Sequence, residues 1–165
     1  MRLARFLRHI HMNPIKAGRC FPPSTLDAIQ REIAAQEGRH RGQLCFVVEA
    51  ELTSSHLWHD VDSRERARQV FALQGVWNTE ENNGVLVYVL LADRRVEIVA
   101  DRGIDKHVSA QEWRAICAEM ESRFTQGTYE EGALAGIRAV SELLVRHFPA
   151  TGPSRNELPD RPVMM

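Results

Sequence analysis

NNGVLVYVLLADRRVEIVADRGID, residues 82–105, decides how this chain folds. Asn82-Asn83-Gly84 is a turn signal, because glycine enters positive φ freely and asparagine tolerates it. Val85 to Leu91 is an unbroken apolar run with β-branched and aromatic members, the pattern of a strand covered on both faces. After the polar break Asp93-Arg94-Arg95, Val96 to Ala100 forms a second run of the same kind. So short a break joins only antiparallel neighbours, since a parallel crossover needs a dozen or more residues. Asp101-Arg102-Gly103 then closes the second strand. The turn before the hairpin and the turn after it must therefore emerge at the same end of the sheet, and that shared end is the first place to look for a site.

Working outward, Gly42 precedes Leu44-Cys45-Phe46-Val47-Val48, another apolar strand pattern that exits through Glu49. Ser24 is placed to cap a helix with Leu26, Ile29 and Ile33 on one face, ending near Gly38. Three capping-box patterns follow: Asp62 with Glu65, Ser109 with Glu112, and Thr128 with Glu131. Each opens a helical run, with Ala67, Val70 and Phe71 inward in the first. Trp113, Ile116, Cys117, Met120 and Phe124 face inward in the second, and Ala133, Ile137, Val140, Leu144 and Phe148 in the third. Gly132 and Gly136 in the last run point to close packing on a neighbour. Strands apolar on both faces need helices on both sides. The expected architecture is α/β: a three-layer α/β/α sandwich with a small mixed sheet containing a central antiparallel hairpin.

The chain has 165 residues, 44% hydrophobic and 26% charged, which suits one globular domain. A net charge of −1 gives no basis for a nucleic-acid partner. Cys20, Cys45 and Cys117 are odd in number and without a CxxC pair, as expected for free thiols in a cytoplasmic protein. No run reaches the ~20 apolar residues of a transmembrane segment. Residues 1–20 read as a basic N-terminal segment, 21–149 as the domain, and 150–165 as a proline-rich tail. In the first of these, Leu3, Phe6, Leu7 and Ile10 fall at helical spacing, with Arg2, Arg5 and Arg8 on other faces. That pattern suits either a membrane-surface or partner-binding helix, or a terminal helix packed on its own domain; the second is the simpler reading.

Most of the chain, about residues 24 to 148, resembles the TPM domain family. The resemblance is carried by GQLCFVVEAEL, by RARQVFALQGVWNTEENNGVLVYV, by DRRVEIVADRGI, and by FTQGTYEEGALAGIRAVSELL. It implies the same α/β/α sandwich. It also implies divalent-metal binding at the strand-end loops, with acid phosphatase activity credited to some chloroplast relatives. The short form is similar to a cytoplasmic bacterial subgroup. The family often has an acidic residue where this chain has Asn82, and glycine on both sides of the turn where this chain has Asp101-Arg102-Gly103.

The candidate site follows from the shared strand end. Glu49, Asp101 and Asp105 are the expected ligands of a calcium or magnesium ion, both hard cations that prefer oxygen. Asn82, Asn83 and Arg102 are the expected ligand-binding residues, with Arg102 able to fork onto a phosphate or carboxylate. Other constellations carry less. His56, His59, Asp60 and Asp62 lack the paired spacing of a zinc site and read as a solvated loop. Cys117 and Arg123 have a phosphatase-like spacing, but AEMES between them is acidic, glycine-free and mid-helix. Arg64, Arg66 and Arg68 read as a charged outer face, and Trp77, Tyr88 and Trp113 as core or site wall. No histidine falls within the cluster, His107 being the nearest. The functional expectation is a non-catalytic binding or adaptor module, divalent-metal dependent, whose partner is another protein tied to membrane-protein or envelope maintenance; the alternative is a metal-assisted phosphatase.

Overall fold

The computed structural model describes residues 3–152 and 155–165. α1 (Leu3–His11) and α2 (Pro14–Cys20) precede α3 (Pro23–Glu37) and β1 (Gln43–Glu49). α4 (Ser54–Trp58) and α5 (Ser63–Leu73) lead to β2 (Gly84–Leu90) and β3 (Arg95–Ala100). α6 (Arg102–Asp105), α7 (Ala110–Thr125) and α8 (Tyr129–His147) follow, and β4 (Val163–Met164) comes last.

The predicted hairpin forms one side of the sheet, with β2 central and β3 at the edge. β2 and β3 pair antiparallel, with Leu90 opposite Arg95 and Val85 opposite Ala100. β1 lies parallel to β2, Gln43 opposite Gly84 and Glu49 opposite Leu90. The strand order is β3-β2-β1-β4. Every residue of β1 and of β2 is buried, as their unbroken apolar runs require. One face, with Phe46, Val48, Val87, Val89 and Ile98, packs on Ile29 and Ile33 of α3, Trp113 and Met120 of α7, and Ile137 and Leu144 of α8. The other face, with Cys45, Val47, Leu86, Tyr88 and Leu90, packs on Ala67 and Val70 of α5 and on Leu57 of α4. Each such side chain contributes roughly 1.5–3 kcal/mol by leaving water. The fold is the α/β sandwich expected.

Local signals were met unevenly. Asp62 accepts a hydrogen bond from the Glu65 N–H at 2.7 Å, and Ser109 with Glu112 completes a reciprocal capping box. Thr128 does not cap α8; its hydroxyl donates instead to the Arg123 carbonyl. Ser24 lies inside α3, where Pro23 occupies the first turn with its fixed φ. Trp113 and Tyr88 are core, but Trp77 is 56% exposed and belongs to neither core nor site wall. The three cysteines are free. Burial pushes the Cys45 thiol up to about 11.

The proline-rich tail returns to the sheet. Its last residues form β4, parallel to β1, with Val163 opposite Val47 and Met164 opposite Val48. Leu158 is buried with the second-face core. On the way the tail passes α3, where Glu37 meets Asp160. Burial and the Asp160 carboxylate push the Glu37 carboxyl up to about 7. Between about 4.5 and 7 the folded chain therefore holds a proton that the unfolded chain has released. Stability from this contact is complete below 4.5 and is lost as pH rises through 7. Glu37→Gln is expected to flatten that part of the melting-temperature profile and to raise stability at pH 8 relative to wild type. An unchanged slope between pH 5 and pH 8 would show that Glu37 does not control it.

Candidate functional site

The register places the site residues. Gln43, Gly84 and Ala100 mark one end of the sheet, and Glu49, Leu90 and Arg95 the other. Asn82, Asn83, Asp101 and Arg102 come together at the first end, as the hairpin geometry demanded. Glu49 does not join them, because β1 runs parallel to β2 and its last residue is carried to the opposite end.

At the shared end two turns are stitched into one unit. The Arg102 guanidinium forks onto the Asn82 side-chain oxygen, Nε at 3.0 Å and Nη2 at 2.9 Å. The Gly103 N–H donates to the Asn82 carbonyl at 3.0 Å. Asp101 caps α6, its Oδ1 accepting from the Arg102 N–H at 2.7 Å. Positive φ falls on Asn82 (52°) and not on Gly84. Gly84 is needed for a different reason: a Cβ there would lie 2.1 Å from the Val76 carbonyl oxygen. Asp105 sits one turn further along α6, exposed, and lines a separate hollow with Arg64, Arg114 and Cys117.

A groove of about 400 Å³ opens beside this unit, lined by Arg41, Gln43, Glu80, Glu81, Asn83, Thr151, Gly152, Arg155 and Glu157. Gln43 builds its far wall by holding the tail: its Oε1 accepts from the Glu157 N–H at 2.8 Å and its Nε2 donates to the Arg155 carbonyl at 3.2 Å. Asn83 is 3% exposed. Its amide N–H donates to the Arg41 carbonyl, and its backbone N–H donates to the Thr79 hydroxyl. Its side-chain Oδ1 is buried without a partner, as are Arg41 Nε and Asp101 Oδ2. Such orphans are uncommon inside proteins and cost about 1–3 kcal/mol each. Sequence reading found Asn83 but missed Arg41, Gln43, Arg155 and Glu157. The one available signal was Gln43, a long polar side chain opening an otherwise apolar strand.

Glu49 has a structural task. It is 4% exposed and accepts from Arg66 Nε at 2.9 Å and Nη2 at 2.8 Å. The Tyr88 hydroxyl donates to Oε2, the oxygen that also receives Arg66 Nε. Burial and the adjoining Glu49 carboxylate push that hydroxyl far above the ordinary tyrosine range. Arg66 is thus 7% exposed and turned inward, away from the outer face expected for it.

The implied divalent ion fits this donor set poorly. Without Glu49 and Asp105, Asp101 is the one expected carboxylate left at the joined turns, and one of its oxygens serves the α6 cap; the neighbouring Glu81 is paired with Arg41 at 2.8 Å. Asn82 already receives a guanidinium, whose positive charge opposes a second cation nearby. Among the described residues no group of three or more His, Cys, Asp or Glu is placed to hold a metal ion. His107, the nearest histidine in sequence, packs on the rings of His147 and Phe148.

The comparisons agree with the architecture. A profile of the TPM domain matches residues 17–143, through α3, the whole hairpin and most of α8. The chain belongs to the TPM domain family. This TPM domain is similar to the BA42 protein of the psychrophilic bacterium Bizionia argentinensis, solved by NMR. The two are 27% identical with a TM-score of 0.75, over 86% of this chain and 93% of that one. It also shares the fold of the N-terminal domain of a P. gingivalis protein, solved by solution NMR. That pair is 23% identical with a TM-score of 0.60, over 79% of this chain and 82% of that one. No curated protein sequence matches it.

Proposed function

We propose that this TPM domain is a non-catalytic binding module of the cytoplasm whose groove beside the joined turns receives a segment of a partner protein. One observation carries the reading: Arg41 and Asn83 both line the groove, and each holds a polar atom buried without a partner beneath it, a donor at Arg41 Nε and an acceptor at Asn83 Oδ1. A peptide group presents the complementary acceptor and donor. Walls of both signs, Arg41 and Arg155 against Glu80, Glu81 and Glu157, suit a polar segment better than an apolar one. Phosphate-ester hydrolysis, the alternative, needs a positioned acid or base, whereas Asp101 is engaged in capping α6 and Glu81 in an ion pair with Arg41.

Peptides selected from a random library on the wild-type protein test this. Glu80 and Arg155 are exposed, so Glu80→Lys with Arg155→Glu leaves the fold intact. That double variant is expected to lose about tenfold or more in affinity, as reversal of like-placed rim charges does. Peptides that bind both proteins equally would remove the groove from the function. Millimolar calcium or magnesium is expected to leave the melting temperature unchanged, since only native-state binding raises it. A rise abolished by Asp101→Asn would restore a metal, and turnover of p-nitrophenyl phosphate abolished by the same change would restore the phosphatase.

A further inference from the structure

α1 docks on the domain largely through polar side chains. Its inward side carries Phe6, packed against the second-face core, beside Arg5 and His9. Arg5 Nε and Nη2 donate to Asp93 Oδ2 at 2.9 and 2.7 Å, and Nη2 also reaches the Val61 carbonyl at 2.8 Å. His9 is 2% exposed; its Nδ1 accepts from the Leu52 N–H at 2.9 Å, which leaves the ring proton on Nε2, 3.2 Å from Asp93 Oδ1. The outward side is apolar: Leu3, Leu7 and Ile10 are 69%, 46% and 60% exposed, and Ile15 of α2 is 71% exposed. Positions 3, 7 and 10 fall on one stripe of a helix.

Charge says what covers that stripe. No acidic residue precedes Asp27, while Arg2, Arg5, Arg8, Lys16 and Arg19 do. Arg8, Lys16 and Arg19 are exposed. Asp93, Asp60 and Asp62 lie together in the hollow shared with Arg5 and Arg8. We propose that the outward face of α1 and α2 docks on an anionic lipid surface. The apolar stripe enters the acyl boundary while the flanking cations meet headgroups. A second copy of the chain suits the face badly, because a two-fold contact brings each of these cations against its own kind. Asp93 belongs to the turn between β2 and β3, at the opposite end of the sheet from Asn82 and Arg102. A domain held at a membrane through α1 therefore keeps its groove directed away from the lipid.

Co-sedimentation of the full chain with vesicles tests the proposal, using phosphatidylcholine alone and phosphatidylcholine with about one-third phosphatidylglycerol. The wild type is expected to partition onto the anionic vesicles and to leave them as salt is raised. Leu7→Ser with Ile10→Ser is expected to weaken partition by roughly tenfold or more with an unchanged melting temperature, because both side chains already face water. Lys16→Gln with Arg19→Gln is expected to remove the preference for the anionic vesicles. No partition of the wild type, or partition that Leu7→Ser with Ile10→Ser leaves intact, overturns the proposal. Concentration-dependent dimerisation abolished by that same pair of changes assigns the face to a second copy and overturns it equally.

Discussion

Replacing Arg66 by alanine is expected to destabilise the protein by about 3–5 kcal/mol. The guanidinium supplies three of the hydrogen bonds that satisfy Glu49, and Tyr88 supplies the other. Without Arg66 a carboxylate stays in a site 4% open to water, on the face where α5 packs against β1 and β2. Its charge must then be neutralised or the helix must lift away. Glu49→Leu with Arg66→Met removes both charges and is expected to recover most of the loss. What remains is the unpartnered Tyr88 hydroxyl, at about 1–3 kcal/mol. Urea unfolding of the three proteins decides the matter. A loss below about 1 kcal/mol for Arg66→Ala, the value of an exposed pair, would mean that Glu49 faces solvent and is free to serve as a ligand.

Gly103→Ala is expected to cost about 2–3 kcal/mol and to part the two turns of the candidate site. A Cβ on Gly103 would lie 2.4 Å from the Asn82 carbonyl oxygen and 2.9 Å from that of Glu81. Both are backbone atoms on the turn that the Gly103 N–H holds, so neither can swing aside as a side chain would. Gly38→Ala serves as the comparison, since nothing lies within 4 Å of a Cβ there. Thermal unfolding gives the cost. The amide resonances of Asn82 and Asn83 report whether the turns have separated. A melting temperature within about a degree of wild type, equivalent to a few tenths of a kcal/mol, would show that the turns move apart freely and that their joining is not a fixed feature of the site.

The strands were legible because their physics is local. A seven-residue apolar run rich in β-branched side chains has few other uses in a chain of this composition, and the short break at Asp93 leaves only an antiparallel return. The same reasoning brought Asn82 to Arg102 correctly. It failed for Glu49, whose placement depends on the direction of β1 relative to β2, a fact set by the crossover through α5 and not by the strand's own residues. Arg66 was illegible for a related reason. Between Arg64 and Arg68 it looks like one more surface charge, and only the arrival of Glu49 from another strand makes burying it tolerable. β4 is two residues long, too short for any periodicity, and the groove wall it brings with it was lost for the same reason. α1 was visible as an amphipathic pattern, but which side would face the domain was decided by Asp93, more than eighty residues away in sequence.

β4 has a consequence for how the chain matures. β1 precedes the other strands of this sheet in the chain, and the outer edge of its C-terminal part is covered by Val163 and Met164, far along the sequence. The Met165 N–H donates to the Val48 carbonyl, and the Ala50 N–H to the Met165 carbonyl. Until those residues arrive, the backbone of Val47 and Val48 lies unpaired at the edge of a strand whose centre is apolar, the template on which intermolecular β-pairing nucleates. The sheet thus has its longest-range pairing at its most adhesive edge. A chain in which β1 has been made and β4 has not is therefore the form most open to edge-to-edge aggregation.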